Sequence, residues 1–361
     1  MLNGVDLPAR QALAERIRED SWEAQLSIGV QAHPEAGGRC RVDTEPMRMG
    51  SVRVARSFSL RQGDGDAAGS GSGDCLDPVG SVLVALGASV ADSVVTRLSG
   101  EGCHLTLLEV LPAADFTPAP GGRAARLSYG LRIEGDVSAG QVREAVRAAR
   151  ERCSGHRTLE EPNELRVVVQ TEKDVHLAAL PRPADRDPAA PADSGGRRTA
   201  RVSWEVGAHV IAEVDGVRAD SDQPKQLFGA DLAPSAQEYF LAALAAEALR
   251  FATSTPAPTP SPPPAGQDAV HASARIDLRG PYSSQDAPAG LRNVLVQLLP
   301  ADPTAGDDGG DGGPAGAMRA WFAEGDALRL VRDAHPIHVD VVLNGTPLTI
   351  EEDTEEHHHA P

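Results

Sequence analysis

Two apolar runs in this chain each end on a residue that could do chemistry. Leu83-Val84-Ala85-Leu86-Gly87-Ala88 is followed by Ser89, and Leu241-Ala242-Ala243-Leu244-Ala245-Ala246 by Glu247. Aligned residue for residue, the runs set Ser89 opposite Glu247. A carboxylate among neighbours as apolar as those from Tyr239 to Leu249 is costly to bury, and its pKa tends to rise. Such a group can act as a general acid or base near neutral pH. A structural ion pair with Arg250, three residues on, or with an arginine from the other half also explains it. Ser89 would need a base beside it to act as a nucleophile. As a small residue in a packed helix it needs nothing more. Cys153 is a third candidate, either a nucleophile or an inert thiol. His156 follows it by three residues and could lower its pKa if a turn joined them, although a surface position is the simpler expectation for that histidine.

Other reactive residue types carry weaker signals. Cys75 just precedes a helix start, where a thiolate is favoured. Ser89 is about eleven helical residues further on, ~17 Å along the axis at 1.5 Å per residue, so Cys75 reads as a loop thiol. Ser235 and Glu238 have the spacing of a capping box. His335 and His338 would point to opposite faces of a strand, which argues against a shared metal. His357-His358-His359 lies in an acidic tail at 351–361. Cys40, Cys75, Cys103 and Cys153 match no zinc spacing. No metal and no cofactor is expected.

The elements that must position these residues are readable in outline. A short amphipathic helix is expected over Val5–Asp20, then a hairpin of strands turning at Gly37-Gly38 within Ser21–Val54. Residues 62–74 read as a solvated loop. Asp77 as N-cap and Pro78 at the first turn start a long helix that Gly100 ends. Residues 103–111 and 125–134 read as strands, Ser138–Cys153 as an amphipathic helix, and Leu165–Gln170 as a strand. The Pro-, Ala-, Asp- and Gly-rich segment 181–200 reads as a linker. The order then repeats. Arg201–Glu213 reads as one strand turning at Asp215-Gly216, and a second apolar helix starts at Ser235. A Pro-rich segment (254–267) and an Asp/Gly tract (302–314) flank strands at His271–Leu278 and Val294–Leu299. Met318–Val331 reads as one helix, and Ile337–Leu343 as a closing strand. Each half thus reads β-β-α-β-β-α-β, a duplicated domain rather than a solenoid repeat.

Composition sets further bounds. The chain has 361 residues and a net charge of −18, enough for two domains and unfavourable for nucleic acid or an anionic membrane surface. The first thirty residues show no signal-peptide core, and no apolar run approaches the ~20 residues of a membrane span. The expected setting is the cytoplasm, where the four thiols stay reduced.

The segment Gly229-Ala230-Asp231-Leu232-Ala233-Pro234-Ser235-Ala236-Gln237-Glu238-Tyr239 to Ala246, and more loosely Asp77-Pro78 to Ala88, resembles the entry to the central helix of the OsmC/Ohr superfamily of thiol-dependent hydroperoxide reductases. Cys153-Ser154-Gly155-His156-Arg157-Thr158-Leu159 resembles that family's second cysteine segment. The resemblance spans nearly the whole chain as two tandem copies. It implies an α+β protein with OsmC-like domains at 1–180 and 201–350, forming inside one chain the intertwined dimer of the family, with two long central helices against antiparallel sheets. It places the peroxidatic cysteine where this chain has Ser89 and Glu247, and the resolving cysteine at Cys153 and in the cysteine-free Ala323-Glu324-Gly325-Asp326. Neither half has the thiol pair. Neither a hydroxyl nor a carboxylate can be oxidised as a thiolate is. The expectation is therefore a diverged, non-peroxidatic protein: a repurposed enzyme or binding protein that takes a small organic molecule between its halves. In an enzyme, Glu247 would supply acid/base chemistry, with Ser89 and Cys153 lining the corresponding site of the other half. A retained hydroperoxide reductase and a non-catalytic pseudoenzyme are the alternatives.

Overall fold

The computed structural model describes residues 1–63, 75–119, 122–170, 175–177, 196–254, 269–283, 287–300 and 313–350. Helix α1 (Leu7–Glu19) is capped by the side chain of Asp6, which accepts from the Ala9 N–H. Five strands follow: β1 (Gln25–Pro34), β2 (Cys40–Thr44), β3 (Met47–Met49), β4 (Val52–Val54) and β5 (Ser59–Gln62). Gly37 and Gly38, between β1 and β2, both have positive φ, which costs glycine no strain. The long α2 (Pro78–Gly100) begins as its sequence predicts. Asp77 accepts from the Gly80 N–H at 2.6 Å, and Pro78 stands where no N–H is needed. Then come β6 (His104–Ala119), β7 (Gly122–Asp136), α3 (Ala139–Arg152), α4 (Ser154–Glu160), β8 (Leu165–Gln170), β9 (Val175–Leu177) and β10 (Arg197–Thr199). The remainder is β11 (Arg201–Val206), β12 (His209–Val214), β13 (Val217–Ser221), α5 (Ala236–Ser254), β14 (Ala269–Asp277), α6 (Arg279–Ser283), β15 (Arg292–Leu299), α7 (Pro314–Glu324), α8 (Asp326–Arg332), β16 (Ile337–Leu343) and β17 (Thr346–Leu348).

The fold is mixed α+β, with eight α-helices and two mixed sheets among the described residues. One sheet runs β4-β3-β1-β14-β15-β8-β9, with β2 and β5 joined through β1; the other runs β13-β12-β11-β6-β7-β16-β17, with β10 beside β6. The two sheets share one plan. A strand from one half of the chain pairs antiparallel with a hairpin from the other (β1 with β14, β11 with β6), and a parallel strand follows (β8 on β15, β16 on β7). Strands from both halves of the sequence thus make up each sheet. Between the sheets lie the two apolar helices: α5 packs on β1, β2 and β14, α2 on β6, β11 and β12, and the helices pack on each other. This position explains their sequences. Residues Gly80–Ala91 and Ala236–Leu249 are buried without interruption, so neither helix needs a polar face. Gly87 lets α2 approach its sheet, since a Cβ there would lie 2.4 Å from Val202 Cγ2.

Several expectations change. Residues 197–199, assigned to the linker, form β10 and pair with 113–115 of β6. Arg201–Glu213 is two strands, because Gly207 turns the chain with φ 58°. Met318–Val331 is two helices broken at Gly325, for a reason given below. By length and composition α2 could cross a membrane, although no such run was expected; 78% of its most apolar stretch is buried inside the protein. The expected loop, Pro-rich segment, Asp/Gly tract and tail, and residues 181–195 of the linker, lie largely outside the described residues.

A buried charge cluster ties the first half to the start of α5. Arg56 lies 3.0 Å from Asp231 and 3.5 Å from Glu238, and donates to the Ala233 carbonyl at 2.7 Å. Glu238 also closes the expected capping box, accepting from the Ser235 N–H and hydroxyl. Burial pushes the Glu238 carboxyl above its ordinary value, and Arg56 opposes that rise. A carboxyl whose folded pKa is raised favours folding most below its unfolded value, near 4.3, and loses that contribution as pH rises through the folded value. Arg56→Met removes the opposing charge and raises Glu238 further. It should cost about 3 kcal/mol at neutral pH, as for other broken buried pairs. Urea unfolding at pH 5 and pH 8 should show a smaller loss at the lower pH; a pH-independent loss would refute the linkage.

Candidate functional site

Ser89 stands on α2 where the α3–α4 corner meets it. Its hydroxyl oxygen accepts from the Gly155 N–H at 2.9 Å and from the Cys153 thiol at 3.2 Å. Ser154 Oγ lies 3.2 Å away and itself accepts from Gln237 Nε2, on α5, at 2.7 Å. Counting donors fixes the chain of bonds. Both Ser89 lone pairs are taken, so its proton goes to Ser154. That leaves the Ser154 proton for something else. The close fit depends on Gly155, where a Cβ would meet Ser89 Cβ at 2.7 Å.

Cys153 ends α3 and caps α4, its sulfur accepting from the His156 N–H at 3.5 Å. Burial pushes the thiol up, and its hydrogen bond with Ser89 and those with the His156 and Gly155 backbone oppose the rise. The thiol thus stays protonated and donates to Ser89. His156 is fully buried rather than at the surface. Its ring meets Tyr129 edge-on and Nδ1 lies 3.3 Å from the Tyr129 hydroxyl, while Nε2 faces Glu160 at 3.6 Å. The imidazole therefore packs into the core, and only its backbone N–H reaches the sulfur.

A cavity of about 170 Å³ opens beside this cluster. Ser89, Cys153, Ser154 and Gln237 form its polar floor, with Gln223 beside them. Leu26, Leu227, Ile276 and Leu278 supply an apolar wall. Across from them, Arg10 pairs with Asp92 at 2.7 Å and lies over the rings of Phe228 and Tyr282 at 5.7 and 5.6 Å. The cavity offers a hydroxyl donor and an apolar surface, usual elements of a small-molecule site.

Glu247 occupies the matching place against the α7–α8 corner. One carboxylate oxygen accepts from the Ala327 N–H at 3.0 Å; the other accepts from the Leu328 N–H and from Trp321 Nε1, both at 2.9 Å. Arg250, the partner considered from sequence, is 4.0 Å away. Burial pushes the carboxyl up, and these donors oppose the rise. Glu247 is thus the N-terminal cap of α8. This also explains the break at Gly325: the carboxylate claims the first N–H groups of a new helix, and a Cβ on residue 325 would lie 2.6 Å from its oxygen. Cys153 and Gly325 have the same corner geometry, with φ/ψ of −67°/123° and −60°/119°.

Sequence reasoning singled out Ser89, Cys153 and Glu247, and the structure brings the first two together and holds the third at the equivalent corner. It gave Arg10, Asp92, Gln223 and Ser154 no role in a site. Gln237 had one legible signal, a polar residue at the start of an apolar helix. Cys75 is buried beside Gly63. His335 Nε2 lies 3.1 Å from the Arg329 carbonyl and His338 pairs with Asp340. Among the described residues no three His, Cys, Asp or Glu side chains gather as a metal site. No family model and no curated protein matches the chain.

Glu247→Gln replaces one carboxylate oxygen with an NH₂ that must face an N–H donor. Stability in denaturant should fall by about 1–3 kcal/mol, the cost of buried donors left unpaired. An unchanged midpoint would show that Glu247 does not cap α8.

Proposed function

We propose that this chain is an OsmC/Ohr-like scaffold, two copies forming an internal pseudo-dimer, in which peroxidatic chemistry has given way to binding of a small organic molecule beside Ser89. One observation carries the reading: the Ser89 hydroxyl lies 3.2 Å from the Cys153 thiol on the floor of a cavity. That is the juxtaposition the resemblance implies for a thiol pair, with one sulfur replaced by oxygen. The strand exchange between the halves supports the same reading. The ligand would accept a hydrogen bond from Ser154 and lay an apolar portion on Leu227 and Ile276. The acidic net charge disfavours nucleic acid and an anionic membrane surface as partners. Four buried free thiols suit a reducing, cytoplasmic setting.

The replacement of sulfur by oxygen can be reversed. In Ser89→Cys, the new thiolate would attack the O–O bond of a hydroperoxide, releasing the alcohol and leaving a sulfenic acid. Cys153 would then displace water from it to form the disulfide, and a dithiol would reduce that disulfide. The variant should consume cumene hydroperoxide with dithiothreitol at least tenfold faster than the unaltered chain. Peptide mapping should find a disulfide between the introduced thiol and Cys153. A variant that folds but forms no such disulfide would refute the shared geometry. Binding is tested separately. Thermal-shift screening of small organic compounds should return ligands that Ser93→Trp, which fills the cavity from the α2 rim, no longer binds; no ligand for the unaltered chain would remove the binding role.

A further inference from the structure

The cavity beside Ser89 has a basic mouth in an acidic protein. Its lining holds Arg10, Arg97 and Arg152 against one carboxylate, Asp92, while the chain as a whole has a net charge of −18. Arg97 and Arg152 are exposed at the rim. Arg10 and Asp92 lie deeper, pair at 2.7 Å and are only 12% and 13% exposed. Thr96 also donates to Asp92, at 3.4 Å. Arg97 pairs with Glu101, outside the lining, at 2.8 Å. An ion pair that open contributes about 0–1 kcal/mol, so Arg97 can exchange it for a ligand at little cost. Charges at the mouth of a low-dielectric cleft concentrate their field inside it.

Hydroxyls supply the remaining polar groups. Ser154 accepts from Gln237 and lies against Ser89, which leaves its own proton without an acceptor. Ser93, one turn beyond Ser89 on α2, and Tyr282 of α6 also line the cavity. Among the described residues neither of their hydroxyls makes a hydrogen bond, and neither oxygen is sealed from solvent. Hydrogen-bond donors beside fixed positive charge suit a group that only accepts. An ionised carboxylate is such a group, with two oxygens and no proton. The apolar wall sets the rest of the ligand. At about 170 Å³ the cavity is close to the ~150 Å³ that takes one benzene ring, and smaller than the ~300 Å³ at which drug-sized pockets begin.

We propose, on the basis of the binding role above, that the Ser89 cavity selects a one-ring aryl carboxylate, its anionic end held among the arginines and its ring laid on Leu227 and Ile276. The carboxylate takes hydrogen bonds from the Ser154 and Tyr282 hydroxyls, and Arg97 and Arg152 balance its charge. Arg10 supports the anion indirectly, by neutralising Asp92. Asp92 is the one lining group that opposes the ligand, so the site holds an anion less tightly than its arginines alone would allow.

Sodium benzoate serves as the probe and benzyl alcohol as its neutral counterpart with the same ring, each titrated into the ¹⁵N-labelled full chain. Benzoate should shift the Ser154 and Gly155 backbone N–H resonances saturably and bind at least tenfold more tightly than the alcohol. Added salt should weaken benzoate and spare the alcohol. Asp92→Asn removes the opposing charge and keeps the shape. It should tighten benzoate at least threefold and leave the alcohol unchanged, an outcome that damage to the fold does not produce. Tyr282→Phe should weaken benzoate at least threefold, and Ser93→Trp should abolish binding of both compounds. The ligand class is overturned if the alcohol binds as tightly as benzoate, or if Asp92→Asn leaves benzoate unchanged or weaker. Saturable binding of the alcohol alone would overturn the class and keep the cavity as a binding site. Binding of neither compound would also overturn the class, and the screen of organic compounds then decides the binding role by itself.

Discussion

The packing of α2 against α5 is the constraint on which the rest of the structure depends. Each helix is buried on all sides through its middle, one against each sheet, with the other helix between it and the opposite sheet. A fully buried helix must be apolar over several turns, so any polar residue inside it has to find its partners close by. Ser89 and Glu247 find theirs at the α3–α4 and α7–α8 corners. Those corners therefore belong to the helix packing as much as to any site. Gly87 and Gly155 mark where the approach is closest, one against the sheet and one against the corner.

One backbone arrangement has received two different fillings. Around Ser89, a short hydroxyl reaches one backbone N–H and one thiol, and the polar chain continues through Ser154 to Gln237 on the partner helix. Space remains beside it. Around Glu247, a longer side chain crosses to α8, takes two backbone N–H groups and the indole of Trp321, and closes the corner. Gly325 is required there because the carboxylate occupies the volume that a Cβ would need. A group held by three donors, and outside the lining of the Ser89 cavity, is suited to holding α8 in place.

Much of this could be read from the residues. Asp77-Pro78 and Ser235 with Glu238 fixed helix starts because capping is local chemistry, and each cap forms in the structure. The unbroken apolar runs gave the two central helices, and their shared register set Ser89 against Glu247. Helix α8 and strand β10 were not legible. The break at Gly325 is imposed by a carboxylate 80 or so positions earlier in the chain, and β10 exists through its pairing with β6. Arg56 and Arg10 were silent for the same reason: the former bonds 177 positions away and the latter 82. The pairing of Ser89 with Cys153 rested on a family resemblance, and no local pattern would have produced it.

The central claim, that oxygen at position 89 has removed thiol peroxidase chemistry while keeping the surrounding geometry, is tested most directly on the unaltered protein. Cumene hydroperoxide is supplied with dithiothreitol, its consumption is followed, and the state of Cys153 is read by mass spectrometry. No consumption above the uncatalysed rate is expected, with Cys153 recovered as a free thiol. Consumption well above that rate, lost in Cys153→Ala, would contradict the account and make this thiol a working peroxidatic centre.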